Sequence, residues 1–299
     1  MSRLFCVLLS FFVTSASAFA SGKPLVVSTN TIAHDLVLQV GGDLFQAECL
    51  LPAGSDPHAY EPKPADVRRV AVAKLVVANG LGFENWITKL VKNSGFRGEL
   101  LILSTGITPL AAAECEDHDH HHEHGEFDPH AWQDVSNVIR YVDNLRDALV
   151  RLVPMQAAAI NARAAAYTAE LQSLHAYAAA TLGGLPAERR KLVTSHDALA
   201  YFGRAYGLDI VPIAGLSTEQ EPNARQVSRL IRRIRAEKVP AVFIESTANP
   251  KLARLLAEEA GVKVPPSLYT DSVGPEGSPA NTYVGMIRHN VDTIVAALR

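Results

Sequence analysis

The chain has 299 residues, and its 28 Lys and Arg against 31 Asp and Glu give a formal net charge of -3. Hydrophobic residues make up 48% and charged residues 20% of the chain, which is typical of a folded globular protein and excludes a disordered or collagen-like one. Because the chain has no excess of positive charge, the composition argues against nucleic acid as the main partner.

Residues 1–20 have the features of a cleaved secretory signal. Arg3 supplies the positive charge, an apolar stretch of about ten residues follows, and Ala18 and Ala20 form a small-residue cleavage site. The stretch is too short to cross a bilayer, which needs about 20 apolar residues. Cys6 lies inside it and not after a cleavage box, so no lipid-bearing cysteine is predicted. We therefore expect an exported, soluble protein.

After this signal, short runs of β-branched and apolar residues alternate with longer segments of helical periodicity. The pattern predicts strands at 24–29, 45–52, 75–79 and 99–104, and helices at 32–40, 64–73, 84–92 and from Asp134 or Ser136 to 153. Strands that alternate with helices favour a mostly parallel sheet with helices on both faces.

Residues 154–182 are rich in Ala, Leu, Gln and Glu and end at a Gly-Gly pair, which predicts one helix about 40 Å long. A second alternation follows, with strands at 191–195, 209–213, 241–245 and 263–265, and helices at 198–206, 223–237, 250–260 and from 279. We therefore predict an α/β protein with two similar lobes, each a mostly parallel sheet flanked by helices, joined by one long rigid helix. The expected boundaries are 21–153, 154–183 and 184–299.

Five of the eleven histidines fall in one short segment and are His118, His120, His121, His122 and His124. Residues 114–128 also contain seven carboxylates and no Lys or Arg. A segment of this composition has no apolar face to bury, so we expect a surface loop. Imidazoles and carboxylates together suit Zn²⁺, which predicts an auxiliary metal-capture loop; a solvated loop without function is the alternative. Because ordering the loop costs entropy, a defined site must lie elsewhere.

Four separate residues are candidates for that site. His58 and His130 each end an Asp-Pro-His sequence, His196 follows the predicted strand at 191–195, and Asp271 follows the last predicted strand. Ligands of open α/β sheets collect beyond the carboxyl ends of strands. Three imidazoles and one carboxylate form a tetrahedral shell that Zn²⁺ accepts, whereas Mn²⁺ prefers more oxygen ligands. Any one of these residues taken alone could instead be structural.

Motifs across nearly the whole chain after the signal carry a family resemblance, at residues 51–62, 78–86, 128–132, 194–202 and 219–222. They resemble the metal-binding subunits of ABC importers for zinc and manganese, the cluster A-I solute-binding proteins. The resemblance implies two lobes joined by a long helix, with the metal bound between them at His58, His130, His196 and Asp271. Manganese-type members typically have a carboxylate at the third position, so His196 implies the zinc type.

The layout resembles that of AztC-like periplasmic zinc-binding proteins, in which a comparable loop is implicated in receiving zinc from a periplasmic chaperone. The implied function is high-affinity capture of Zn²⁺ as cargo and its delivery to an ABC permease in the inner membrane, with a zinc chaperone as a further partner. We expect a monomer and no enzymatic activity.

Other functions stay open at this point. A manganese-binding homologue of the same importer class and a zinc-dependent periplasmic hydrolase are the main alternatives, the latter with Glu221 or Glu245 as its base. A metallochaperone or adhesin without a transporter would use the same ligands. The chain contains neither an H-E-x-x-H motif nor a complete G-x-S-x-G motif, which argues against the hydrolase.

A few further residues carry weaker predictions. Glu61 and Asp197 adjoin candidate ligands and could orient their imidazoles. Trp132 and Tyr60 are expected to line the pocket. Whether Cys49 pairs with the other cysteine of the mature chain, Cys115, stays open.

Overall fold

A computed structural model of the chain describes residues 22–112, 126–216 and 224–299. The predicted signal and the five clustered histidines lie outside these ranges. The first sheet and its helices run β1 Leu25–Ser28, α1 Thr31–Gly41, β2 Gln46–Cys49, α2 Pro64–Val72, β3 Leu75–Ala78, α3 Ile87–Ser94 and β4 Glu99–Ile102. All pairings are parallel in the order β2-β1-β3-β4, with Val27 of β1 opposite Glu48 and Val76.

Two helices lead out of this lobe. Helix α4 spans Val135–Leu152, and of the two predicted caps it uses Asp134, whose side chain accepts a hydrogen bond from the backbone N–H of Ser136 at 2.9 Å. Helix α5 then spans Ala157–Gly183, 27 residues or about 40 Å, and ends at the predicted Gly-Gly pair. The long helix predicted from alanine content is therefore present.

The second lobe repeats the alternation. Its elements are β5 Lys191–Thr194, α6 Ala200–Tyr206, β6 Asp209–Pro212, α7 Ala224–Ala236, β7 Val242–Phe243, α8 Pro250–Ala260 and α9 Tyr283–Leu298. The strands are parallel in the order β6-β5-β7. The strand predicted at 263–265 is wrong, because only Lys263 forms a bridge, to Ala241. Pro265 has no N–H with which to continue a ladder.

Each lobe has a small hydrophobic cluster of its own, and a larger shared core runs through both lobes. It contains Leu36 of α1, Leu145 of α4, Leu171 of α5, Tyr201 of α6 and Ile287 of α9, all fully buried. Helix α5 packs against each of the other four helices. The fold is thus the predicted α/β arrangement of two lobes linked by a long helix. No helix in the described ranges combines the length and apolar character needed to span a membrane.

Candidate metal centre

The four candidate ligands from the sequence come together between the lobes. His58 lies in the loop after β2, His130 lies just before the short helical turn 131–133, His196 follows β5, and Asp271 precedes α9. Their nearest ligand atoms all lie within 4.8 Å of one another. Among the residues that the structure describes, they form the one such group of metal-ligating side chains.

Several distances between ligand atoms are close to those around a four-coordinate ion, while His58 Nε2 lies farther, 3.9 Å, from Asp271 Oδ2. His130 Nε2 lies 3.3 Å from His58 Nε2 and 3.6 Å from Asp271 Oδ1, and His196 Nε2 lies 3.1 Å from Asp271 Oδ2. Bonds of about 2.0–2.2 Å to a tetrahedral centre place ligand atoms about 3.3–3.6 Å apart. His196 Nε2 and Asp271 Oδ1 are buried without a hydrogen bond of good geometry, and a cation at the centre would satisfy both atoms.

Two buried carboxylates orient two of the three imidazoles. Asp128 Oδ1 lies 2.7 Å from His130 Nδ1 and also accepts the backbone N–H of His130 at 2.8 Å. Glu245 Oε2 contacts His196 Nδ1 directly, while Oε1 accepts the backbone N–H of His196 at 3.1 Å. A carboxylate beside Nδ1 keeps the proton on that nitrogen and leaves Nε2 to bind metal.

Glu61 and Asp197 were the candidates for this orienting role from sequence, and Asp128 and Glu245 occupy it instead. Glu61 is exposed, and Asp197 is buried but its side chain forms no hydrogen bond to a candidate ligand in the part of the chain that the structure describes. Its backbone N–H donates to Gly215 O at 3.0 Å. Asp128 could have been found from its place in the second Asp-Pro-His sequence. Glu245 lies 49 residues from His196, so no local spacing identifies it.

Aromatic side chains enclose the site. The Phe83 ring meets the His58 ring edge to face, with centroids 5.0 Å apart, and lies 4.6 Å from the ring of Trp132. Trp132 in turn lies 5.3 Å from His130 and donates its indole N–H to Thr270 O at 2.8 Å. The side chain of His58 is 9% exposed and those of the other three ligand candidates at most 1%. His58 is therefore the candidate ligand closest to solvent.

Burial and neighbouring charges separate the pKa values of the site. Burial lowers the pKa of His58 to about 4, which keeps this imidazole neutral at pH 7. Burial also disfavours charge on His196, but the carboxylates of Glu245 and Asp271 outweigh it and raise the pKa of His196 well above its usual value. For Asp271, burial opposes ionisation, yet the imidazoles, His196 foremost, hold its pKa below the usual range. The site therefore carries an ionised carboxylate ready for a cation.

Other residues singled out in the sequence lie away from this cluster. The Tyr60 hydroxyl donates to Asp66 Oδ2 at 2.6 Å instead of facing the ligands. Cys49 forms no disulfide with any residue that the structure describes, and burial raises the pKa of its thiol to about 12, so the thiol is unreactive at neutral pH. Cys115 lies outside the described ranges.

Comparison with known proteins places the chain in a family. Residues 26–297 match the family model described as ZnuA, the periplasmic component A of a zinc-uptake complex. The chain belongs to this family. Its members are metal-binding components of transport systems and not enzymes, which agrees with the prediction of no enzymatic activity.

Relatives within the ZnuA family carry the names of different metals. The chain is 37% identical to the manganese-binding lipoprotein MntA of Halalkalibacterium halodurans, over 91% of this chain and 88% of that protein. It is 36% identical to the zinc-binding protein TroA of Treponema pallidum, over 95% of this chain and 92% of that protein. The solved structure of TroA superposes with a TM-score of 0.85 and 35% identity, covering 93% of this chain and 99% of TroA. Family membership thus establishes metal binding but does not select the ion.

Proposed function

We propose that the protein binds Zn²⁺ in the periplasm and delivers it to the permease of an ABC importer. The observation that carries this proposal is the convergence of three imidazoles and one carboxylate, whose ligand atoms lie within 4.8 Å of one another. Zn²⁺ accepts four ligands of this kind, whereas Mn²⁺ prefers more oxygen ligands and a higher coordination number.

In this proposal His58, His130 and His196 bind the ion through Nε2, and Asp271 supplies one carboxylate oxygen. Asp128 and Glu245 hold two of the imidazoles in the binding orientation. The ion is cargo, so the site must release it as well as bind it. Because the lobes share one core, we expect release through local movement of the ligand loops and not through a wide hinge.

The route of the protein to the periplasm is part of the proposal. We infer a cleaved signal over residues 1–20 and a soluble monomer, with the segment of five histidines receiving zinc from a periplasmic chaperone. The relative MntA is named a lipoprotein, so a lipid anchor is the competing arrangement. The intact mass of the protein purified from the periplasm distinguishes them, because a mature chain that begins after Ala20 without a lipid supports the soluble form.

Manganese is the second candidate cargo. The 37% identity to the manganese-binding MntA favours it, and the same fold serves both metals among the relatives. The ligand set opposes it, since a single carboxylate supplies at most two oxygens.

A competition titration of metal-stripped protein tests the proposal. We expect one Zn²⁺ per chain, bound more tightly than Mn²⁺. His58→Ala and His196→Ala should each lower zinc affinity more than the roughly 10–100-fold typical of losing an orienting residue. Glu61→Gln is the matched control, because Glu61 is exposed. Tighter binding of Mn²⁺ by the wild-type protein, or unchanged zinc affinity in both alanine variants, would refute the proposal.

A further inference from the structure

The turn between β3 and α3, residues 79–84, is anchored by a buried carboxylate. Glu84 accepts hydrogen bonds from the Thr29 hydroxyl at 2.5 Å and the Asn30 amide at 3.0 Å. It also accepts the backbone N–H groups of Asn79 at 3.0 Å and Gly80 at 3.2 Å. Because these four groups all donate hydrogen bonds to it, the carboxylate has hydrogen-bond partners although it is buried. The 79–84 turn is thereby fixed to the carboxyl end of β1.

The backbone of the 79–84 turn is constrained as well. Gly80, Leu81 and Gly82 have φ values of 89°, 56° and 82°, so three successive residues lie in the left-handed region. A Cβ at Gly80 would lie 2.4 Å from Ile102, which leaves no space for another residue type. Leu81 has a Cβ, so this backbone conformation is strained for it, and the hydrogen bonds that anchor the turn must compensate for the strain.

This turn places Phe83 against two of the ligand candidates. Its ring lies 5.0 Å from the His58 ring at 87° and 6.0 Å from the His130 ring at 71°, and the side chain is 1% exposed. The Nε2 atoms of those two histidines are 3.3 Å apart. A hydrocarbon ring therefore packs against both candidate ligands that the first lobe supplies. A water molecule there would lack the two to four polar partners that a buried water needs.

We propose that Phe83 determines metal specificity: it excludes a water ligand beside His58 and His130, keeps the bound ion four-coordinate, and so favours Zn²⁺ over Mn²⁺. The inference rests on the proposed function, because it assigns the cause of a zinc preference at the same site. Zn²⁺ is stable with four ligands, and Mn²⁺ loses affinity when its additional oxygen ligands are excluded. Truncation of the ring would open a space next to the bound ion, and a water molecule could then enter that space.

Cobalt provides the test, because four-coordinate Co²⁺ absorbs visible light much more strongly than Co²⁺ with five or six ligands. We expect Phe83→Ala to weaken the visible absorption of bound Co²⁺ and to lower the ratio of zinc to manganese affinity by about tenfold. Phe83→Leu keeps most of the apolar volume, so it should change both quantities in the same direction by less. If Phe83→Ala fails to fold, Phe83→Leu decides the question.

Phe45→Ala is the matched control, because Phe45 is a buried phenylalanine of the same lobe that belongs to the core and makes no ring contact with the ligand candidates. An unchanged cobalt spectrum and affinity ratio in the Phe83 variants would overturn the inference. Equal changes in Phe45→Ala would also overturn it, since they would reflect lost packing alone. A wild-type protein that prefers Mn²⁺ would instead refute the proposed function, whatever the cobalt spectra show.

Discussion

Two buried carboxylates decide which ring nitrogen His130 and His196 present to the ion. Asp128 and Glu245 each contact Nδ1 of one imidazole and also accept the backbone N–H of the same histidine. Each carboxylate therefore sets both the position and the rotation of its ring. Glu245 is itself held by the hydroxyl of Ser195, which donates to Oε1 at 3.2 Å. Zinc affinity should depend on these carboxylates even though neither binds the ion.

We predict that Glu245→Gln lowers zinc affinity by about 10–100-fold, the usual effect of losing an orienting carboxylate. The amide retains an acceptor for the backbone of His196 but loses the negative charge beside Nδ1. Competition titration with a chromophoric chelator measures the change. Glu61→Gln, at an exposed position, should bind zinc as the wild type does, and an equal loss in both variants would contradict the prediction.

Zinc binding should release protons, and His196 is their main source. Its raised pKa makes it cationic in the metal-free protein at pH 7, so Zn²⁺ must displace the proton on Nε2. Affinity should therefore fall as the pH decreases, because a higher proton concentration competes more strongly with Zn²⁺ for Nε2. The pKa of His58 is lowered to about 4, so protons compete with Zn²⁺ for this imidazole only when the pH approaches that value.

Calorimetric titration at pH 7 in buffers of different ionisation enthalpy counts the released protons. We expect about one proton per Zn²⁺ in the wild type. The number should be smaller in Glu245→Gln, because removal of this charge lowers the pKa of His196. Binding without any buffer dependence would contradict the assignment of His196 as cationic.

At the scale of elements, α5 holds the two lobes in one arrangement. Its buried positions are spaced three or four residues apart and are Ile160, Ala164, Tyr167, Leu171, Leu174, Ala178 and Leu182. This spacing forms a single apolar face along the whole helix, which packs against helices of both lobes. The helix is therefore a structural part of the core and not a free connector.

Leu171→Ala should destabilise the protein by about 2–5 kcal/mol, because it removes a fully buried side chain and leaves a cavity in the shared core. Urea unfolding of the metal-free protein measures the free energy of unfolding. Gln172→Ala is the control, since Gln172 is the exposed neighbour on the same helix and should change stability by less than about 0.5 kcal/mol. Equal effects would show that the shared core does not stabilise this helix.

At the scale of the whole molecule, the ligand candidates and the core both join the lobes. Two candidate ligands come from each half of the chain, and Trp132 and Gln133 of the first half donate to Thr270 O of the second at 2.8 and 2.9 Å. Tyr283 of α9 donates its hydroxyl to Trp132 O at 2.7 Å. The lobes should therefore unfold together.

We predict one cooperative thermal transition for the metal-free protein, which zinc shifts to higher temperature. A free Zn²⁺ concentration of 100 times Kd should add about 2.7 kcal/mol to the free energy of unfolding. Scanning calorimetry with and without zinc tests both statements. A variant with His58→Ala and His196→Ala should lose the zinc-dependent shift but keep the single transition. Two separate transitions in the wild type would contradict the shared core.

The differences between prediction and structure have physical causes. The helix predicted at 84–92 begins at Ile87, because Glu84 anchors a left-handed turn instead of forming the first helical turn. The predicted strand at 263–265 reduces to a bridge because prolines follow Val264. Local periodicity could not reveal either outcome. Hydrogen bonds from a distant segment hold Glu84 in the turn, and a proline without an N–H ends the strand pairing.

The sequence by itself determined the alternation of strands and helices, the long helix α5 and the four candidate ligands. Each of these depends on local information: side-chain periodicity, helix propensity, and histidines placed after strands or in rigid Asp-Pro-His turns. Only the tertiary structure decided that Glu245 orients His196 and that Phe83 packs on His58 and His130. Those contacts join residues that lie 25 to 49 positions apart in the same lobe, so no local sequence pattern identifies them.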